Sequence, residues 1–431
     1  MLFKKGKKAK KCVFIGLDGV PYELLQRLME QGHMPHLAAL KDRGGFTAMK
    51  SSVPEVSSVA WSSFNTGFDP SHHGIFGFME LDKNYQMTFP TFLNLKQQTL
   101  WEKTALLDKQ TVVVNIPQTY PVRPFKGQII SGFISLDVRK SVYPPSLLDL
   151  IKRFDYRIDV DIPEIRDKDT RDKLLMERIF SVFEARVKLV KHLLKKADWD
   201  LFLAVVTETD RLMHYFFPSL VGRDNWTEDC LRLFNAIDGF IADAQETADT
   251  DNLFVMSDHG FCVTEREVLI NNLLRREGLL IPKPGAKAIQ DIDFAQTKAF
   301  ALDPARIYIH DERFSQGHRL TENQRQRLVD YIIDACSNLE YAGSPVFQHI
   351  FRREDIYSGP LLSQAADILL VTNKGFDAKG TLRREDIFCP PRFQGMHSYD
   401  NAFFLSSMPL DFAEDMNVQA PHWILFDLIK S

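Results

Sequence analysis

Five short apolar runs, separated by stretches of helical periodicity, limit what this chain can become. They span residues 13–17 ("VFIGL"), 111–116 ("TVVVNI"), 201–207 ("LFLAVVT"), 253–256 ("LFVM") and 367–372 ("DILLVT"). Each is short, apolar and without polar alternation, the pattern of a strand covered on both faces. Between them, Tyr22, Leu25, Leu28 and Met29 form one helical face that Gly32 would stop. A longer stripe runs through Leu175, Ile179, Val182, Phe183, Val187, Val190 and Leu194. The alternation predicts an α/β fold: a mostly parallel central sheet with helices on both faces. In such sheets ligands bind beyond the carboxyl ends of the strands.

Composition sets outer bounds. A chain of 431 residues makes one large domain with insertions, or two to three domains. Hydrophobic residues are 45% and charged residues 26%, so a sizeable core is available. A net charge of -4 argues against bulk attraction to nucleic acid or anionic lipid, so no nucleic acid polymer is expected as a partner. Cys12, Cys230, Cys262, Cys336 and Cys389 are scattered, without CxxC spacing, and read as reduced, buried thiols of a cytoplasmic protein. No 18-residue apolar run exists, so no membrane span is expected. The basic start "MLFKKGKKAKK" lacks the apolar length and cleavage site of a signal peptide; residues 1–10 read as a flexible, solvated terminus. Residues 11–263 and 396–431 are expected to form the core. Residues 264–395 read as an inserted cap, of which about 365–373 is a candidate to return to the core sheet. The charged, Pro-containing stretch 137–172 reads as a surface excursion.

The residues at the carboxyl ends of the strands carry the chemistry. The first run ends in Asp18, the third in "TETDRLMHYFF" with Asp210 and His214, and the fourth in "SDHGF" with Asp258 and His259. His397 lies in "GMHSYDNAFF". In a parallel sheet these side chains gather on one edge. Asp210 and His214, four residues apart on a helix, share a face and can hold one metal. Three Asp, three His and a hydroxyl from another segment can build two sites of mixed imidazole and carboxylate character. Such donors suit zinc, or manganese and magnesium where oxygen dominates. Neighbouring cations would also account for a carboxylate at the buried position of Asp18.

The stretches "GLDGVPYELL", "PHLAALKDRGG", "SVPEVSSVAWSSFNTGFDPSHHGIFGF", "TETDRLMHYFF", "SDHGF" and "GMHSYDNAFF" resemble, in this order, the alkaline phosphatase superfamily. Within it they are most similar to the type I phosphodiesterase/nucleotide pyrophosphatase branch and its bacterial phosphohydrolase relatives. The resemblance implies an alkaline-phosphatase-like core and two divalent cations, zinc first and manganese second. Asp210, His214 and His397 would hold one cation; Asp18, Asp258 and His259 would hold the other. The family nucleophile is a Ser or Thr three residues after a Pro, which points to Ser57 after Pro54, touching metal, with Ser58 as runner-up. Ser57 would open a helix, where free backbone NH groups favour a phosphoryl group. The pyrophosphatase group places an Asn three residues after its nucleophile; here that position is Ala60. A substitute clamp is sought among backbone NH groups, Asn65 and the cap, and Arg211 is a further substrate-contact candidate. His73 reads as a turn-packing residue and Trp61 as core.

The leading expectation is a dimetal phosphohydrolase cleaving a small-molecule phosphodiester through a phosphoserine. A phosphomonoesterase comes second and a phosphomutase third. A mutase is disfavoured because the larger unmatched block lies between His259 and His397, not soon after Ser57. A non-catalytic metal-binding protein also stays open. A dinucleotide-binding module is disfavoured, because Asp18 occupies the turn where GxGxxG would need glycine.

Overall fold

The structure is a computed structural model and describes residues 11–222 and 224–431. The basic start therefore lies outside the described residues.

An eight-stranded sheet forms the centre. Its strands are β1 (Cys12–Leu17), β2 (Gly45–Met49), β3 (Thr111–Val114), β4 (Gly127–Ile130), β5 (Val142–Tyr143), β6 (Leu201–Val206), β7 (Leu253–Met256) and β8 (Ala402–Ser406). They lie in the order β2-β8-β7-β1-β6-β3-β4-β5. The five middle strands are parallel, with β1 between β6 and β7. Antiparallel β8 and β2 close one edge and β5 the other. The uninterrupted apolar runs are explained by burial on both faces. Val13, Ile15 and Leu17 of β1 join one core with Leu175, Ile179, Val182 and Leu212. Cys12 and Phe14 join the opposite core with Trp61, Phe64, Trp101 and Leu425. The predicted stripe is one face of the helix Lys168–Lys196, packed on this sheet.

The cap has its own hydrophobic cluster, centred on Ile270, Leu273, Phe300, Ile307, Ile332 and Ile368. It holds a four-stranded sheet of Ala299–Leu302, Arg306–Ile309, Ile368–Thr372 and Phe347–Arg352, antiparallel throughout. The expectation that 365–373 returns to the core sheet is corrected here: Ile368–Thr372 pairs only with cap strands. Its apolar character has another cause. Ile368 and Leu370 face the cap cluster, while Leu369 and Val371 pack with Val53, Phe76 and Tyr357. The strand is thus pressed between the cap interior and the loop leading to Ser57.

The cap also recruits a hairpin from the core, Glu80–Leu81 with Met87–Thr88. Tyr85 of that hairpin stacks on Phe294 with ring centroids 3.5 Å apart, and its hydroxyl lies 2.7 Å from His310 Nε2. Buried Arg306 reaches back to Glu80 at 2.6 Å. The stretch 137–172 is less superficial than its charge suggests, since Tyr156 and Val160 are buried in the main core.

Candidate active site

Asp18 directly follows β1, and Asp258 and His259 follow β7. Asp210 and His214 lie on the helix α1 (Glu208–Val221) that follows β6. The carboxyl edge of the parallel strands therefore collects them, as expected for such a sheet. His397 arrives from Gly395–Ser398, a strand paired antiparallel with Gly260–Val263, so that Phe261 stands opposite His397. That ribbon brings the fourth segment over the same edge. The His259 and His397 rings stack with centroids 3.7 Å apart.

Turn chemistry explains why the chain can leave β1 as it does. Gly19 has φ +75°, and a Cβ there would sit 2.7 Å from the Phe261 ring and 3.1 Å from His259. Glycine is the residue that tolerates both the backbone angle and this close approach. The Gly19 N–H donates to Asp258 Oδ1 at 3.1 Å, tying two of the carboxylate segments together.

Two groups of donor atoms emerge. Asp210 Oδ1 lies 3.2 Å from His397 Nε2 and 3.4 Å from His214 Nε2, and the two imidazole nitrogens are 3.3 Å apart. Donors bonded tetrahedrally at about 2.0 Å stand roughly 3.3 Å apart, so this spacing fits one zinc-sized cation. In the second group His259 Nε2 is 3.6 Å from Asp18 Oδ1 and 3.4 Å from Asp258 Oδ2. Asp18, Asp210 and His259 also offer donors within 4.8 Å of one another, so Asp210 stands between the groups. Asp258 Oδ2 is buried without a hydrogen-bond partner among the described residues. An orphaned carboxylate oxygen beside an imidazole acceptor fits a site for a cation.

The histidines are held in the form a cation requires. Nδ1 of His214, His259 and His397 lies 3.1, 3.1 and 2.8 Å from the carbonyl oxygens of Gly395, Gly260 and Glu55 respectively. A carbonyl only accepts, so each Nδ1 carries a proton and Nε2 is the ring atom that faces the site; at His397 that Nε2 also donates to Asp210 until a cation takes its place. Burial pulls the pKa of His259 well down and that of His214 to about 4. Burial also acts on His397, but the hydrogen bond and field of Asp210 outweigh it and hold that pKa up. Asp18 is raised well above the usual carboxylate range by burial, with Asp258 and Asp210 adding to it. Burial pushes Asp258 up to about 7. Asp210 is also buried, yet His214, the His397 hydrogen bond and Arg211 hold it below the usual range.

Ser57 stands at the second group. Its Oγ is 3.2 Å from Asp18 Oδ1 and 3.1 Å from His259 Nε2. It opens the helix Ser57–Thr66, preceded by extended Val56. The first helical amides bonded back to Val56 are those of Val59 and Ala60. Those of Ser57 and Ser58 have no partner among the described residues, which leaves two NH groups at the helix start for an anion. Ser58 is buried, and its hydroxyl is unpartnered. Asn65 lies further along. It is buried on the same helix, eight residues beyond Ser57, a separation of about 12 Å along the axis. That sets it apart from the helix start, where a substitute clamp on the phosphoryl group was sought. Arg211 is committed to carboxylates: it donates to Asp210 Oδ2 at 2.7 Å and to Asp159 at 2.6 and 3.1 Å. It braces Asp210 in the structure. His73 is fully buried, accepts from the Ile75 N–H at Nδ1 and meets Ser63 Oγ at Nε2, a turn-packing role.

Four supporting residues escaped the sequence reading. Trp61 Nε1 donates to Asp18 Oδ2 at 3.2 Å, and Thr209 Oγ1 to the Asp18 carbonyl at 2.7 Å. Trp61 is four residues after Ser57, one helical turn, and that spacing is the signal that could have found it. Asp159 braces Arg211 from the stretch read as a surface excursion. Glu208 forms a fully buried pair with Arg186 at 2.8 Å, and Arg186 also donates to the Tyr156 hydroxyl.

The family comparison gives the class, a metal-dependent hydrolase of phosphate esters. The profile of the type I phosphodiesterase / nucleotide pyrophosphatase family matches residues 12–400, and the chain belongs to that family. No curated protein sequence matches it. Among solved structures, phosphonoacetate hydrolase from Sinorhizobium meliloti 1021, in complex with phosphonoformate, is similar with a TM-score of 0.65 at 15% identity. The match covers 98% of this chain and 96% of that one. Murine ectonucleotide pyrophosphatase / phosphodiesterase 5 is similar with a TM-score of 0.56 at 15% identity, over 97% of this chain and 95% of that one. An inactive form of the murine protein in complex with AMP gives the same values. At these identities the likeness is one of fold, an alkaline-phosphatase-like α/β core.

Proposed function

We propose that the chain is a dimetal phosphodiesterase in which Ser57 takes the phosphoryl group. Asp210, His214 and His397 would hold one divalent cation, and Asp18, Asp258 and His259, with Ser57, the other. When bound, the two cations would lower the pKa of the serine hydroxyl and offset charge on the transferred phosphoryl group. Zinc suits the first donor set best, and manganese is the alternative.

The chain's own groups supply the rest. Ser57 Oγ, oriented by Asp18 Oδ1 and His259 Nε2, would lose its proton to water and attack phosphorus in line with the departing oxygen, whose P–O bond breaks and which leaves as an alcohol after taking a proton from water. The free Ser57 and Ser58 amides would receive the phosphoryl oxygens, a task the pyrophosphatase group shares with the Asn that Ala60 replaces here. Water then hydrolyses the phosphoserine. Trp61 and Thr209 fix Asp18, and Arg211 with Asp159 fixes Asp210, so little reorganisation is needed.

The observation that carries this reading is Ser57 Oγ within 3.2 Å of a carboxylate and an imidazole of the second donor group. A diester is favoured over a monoester because the site cavity, lined by Glu55, His214, Asp377, Lys379 and His397, shares Lys379 with a larger cleft of about 680 Å³. That arrangement offers room for a second substituent. Five unpaired, buried cysteines support a reducing compartment such as the cytoplasm. Among the described residues no helix is long and apolar enough to cross a membrane. The test is hydrolysis of bis-(p-nitrophenyl) phosphate against p-nitrophenyl phosphate, with zinc or manganese added. The diester should turn over faster, and Ser57→Ala should abolish it. Exclusive cleavage of the monoester would replace this reading with a phosphomonoesterase.

A further inference from the structure

We propose that the cleft beside the site binds a second anionic group of the substrate, a phosphate or a carboxylate carried on one ester substituent. This rests on the phosphodiesterase reading and narrows its substrate class.

Two chain segments lead from the site cavity into the cleft. On the first, Asp377 and Ala378 line the cavity, Lys379 lines both spaces, and Gly380, Thr381, Arg383 and Arg384 line the cleft. On the second, Met396 and His397 line the cavity, while Arg392 and Phe393 line the cleft. Phe393 is also in contact with the His214 ring, with centroids 5.0 Å apart. A substituent leaving the phosphorus between these segments is therefore guided toward the cleft.

The cleft is charged in one sense. Lys287, Lys379, Arg383, Arg384 and Arg392 line it, against Glu267 and Asp303. Both carboxylates are engaged by backbone: Glu267 accepts from the Arg392 N–H at 2.9 Å, and Asp303 from the Gly380 N–H. Lys379 is paired with Asp377 at 2.8 Å. The side chains of Lys287, Arg383, Arg384 and Arg392 form no ion pair with any described residue and are exposed. Four arginines of the same region that are turned inward are paired: Arg306 with Glu80, and Arg313, Arg325 and Arg353 with Asp367. Four unpaired cations around one recess, next to a phosphoester site, raise the local concentration of an anion and offer it charge-assisted hydrogen bonds. The adjacent Arg383 and Arg384 of "TLRRED" would supply two of these cations.

The test compares thymidine 5′-(p-nitrophenyl phosphate) with the same ester carrying a 3′-phosphate, by nitrophenolate release from metal-loaded enzyme. The extra phosphate should raise kcat/KM about tenfold or more, an advantage that shrinks with added salt. The double variant Arg383→Ala, Arg384→Ala should lose that advantage while cleaving the plain ester within about twofold of the parent rate. The plain ester also reports folding, so a misfolded variant is recognised by loss on both. A second variant, Lys287→Ala, removes a cation from a different segment and should cut the same advantage. Equal kcat/KM for the two esters in the parent, or an advantage that survives all these substitutions, overturns the inference and leaves the phosphodiesterase reading intact. Cleavage of neither ester overturns that reading, and the inference with it.

Discussion

At Ser57 a small hydroxyl sits against the second donor group, and its neighbours show why substitution there can separate chemistry from folding. Among the described residues its Oγ hydrogen-bonds Asp18 and His259, and serine to alanine removes one atom without emptying a core position. Ser57→Ala is expected to lower turnover by on the order of 10³-fold or more while leaving metal content and the unfolding midpoint near parental values. Steady-state kinetics beside metal analysis checks it, and retained turnover would point to Ser58. Gly19 behaves in the opposite way. Gly19→Ala adds a Cβ 2.7 Å from the Phe261 ring at φ +75°, and should cost about 2 kcal/mol or more, measured by denaturant unfolding. At this scale the ligand candidates were legible because carboxylates and imidazoles placed right after buried strands have few other reasons to be there. Trp61 and Asp159 were not legible as site residues. An indole reads as core, and Trp61 is core as well. An Asp in a charged stretch reads as solvated until the fold carries it to Arg211.

Among the elements, α1 carries two donors and is anchored from behind. Glu208 at its start is fully buried against Arg186 of the long helix Lys168–Lys196, and Arg186 ties in Tyr156. Burial raises Glu208 even with the guanidinium beside it, so the pair is a cost met only while both partners are present. Arg186→Leu alone should destabilise the protein by about 3–5 kcal/mol by stranding Glu208, and Glu208→Leu in addition should recover part of that loss. Equilibrium unfolding of both variants checks the pairing; equal stability of single and double variants would refute it. Four of the five parallel strands were readable from unbroken apolar runs, whereas β4 was not, since its Gly127 and Gln128 are only part-buried and interrupt the apolar pattern. The same logic misplaced Ile368–Thr372, because a strand pressed between the cap cluster and the Ser57 loop carries the identical pattern. Periodicity reports how many faces are covered, and not which layer covers them.

For the molecule as a whole, the expected cation pair links function to stability. Three carboxylates, from Asp18, Asp210 and Asp258, share a buried space in which Arg211 is the cation directly bonded to one of them. Divalent cations bound there would favour the folded state by mass action, about 2.7 kcal/mol per site at a free concentration 100 times Kd. Addition of zinc or manganese to chelator-treated protein should therefore raise the thermal midpoint, and Asp210→Asn, which alters both donor groups, should remove most of that gain. An unchanged midpoint would place metal outside the folded core. The overall class of the fold was legible from alternating elements, whereas the cap sheet was not, since its strands are short and their pairing depends on contacts remote in sequence. The most direct test of the whole account is anomalous diffraction from crystals of the metal-loaded protein soaked in phosphate. The account predicts two peaks about 4 Å apart, one against Asp210, His214 and His397 and one against Asp18, Asp258 and His259, with a phosphate oxygen beside Ser57 Oγ. A single peak, or metal bound away from these six side chains, would contradict it.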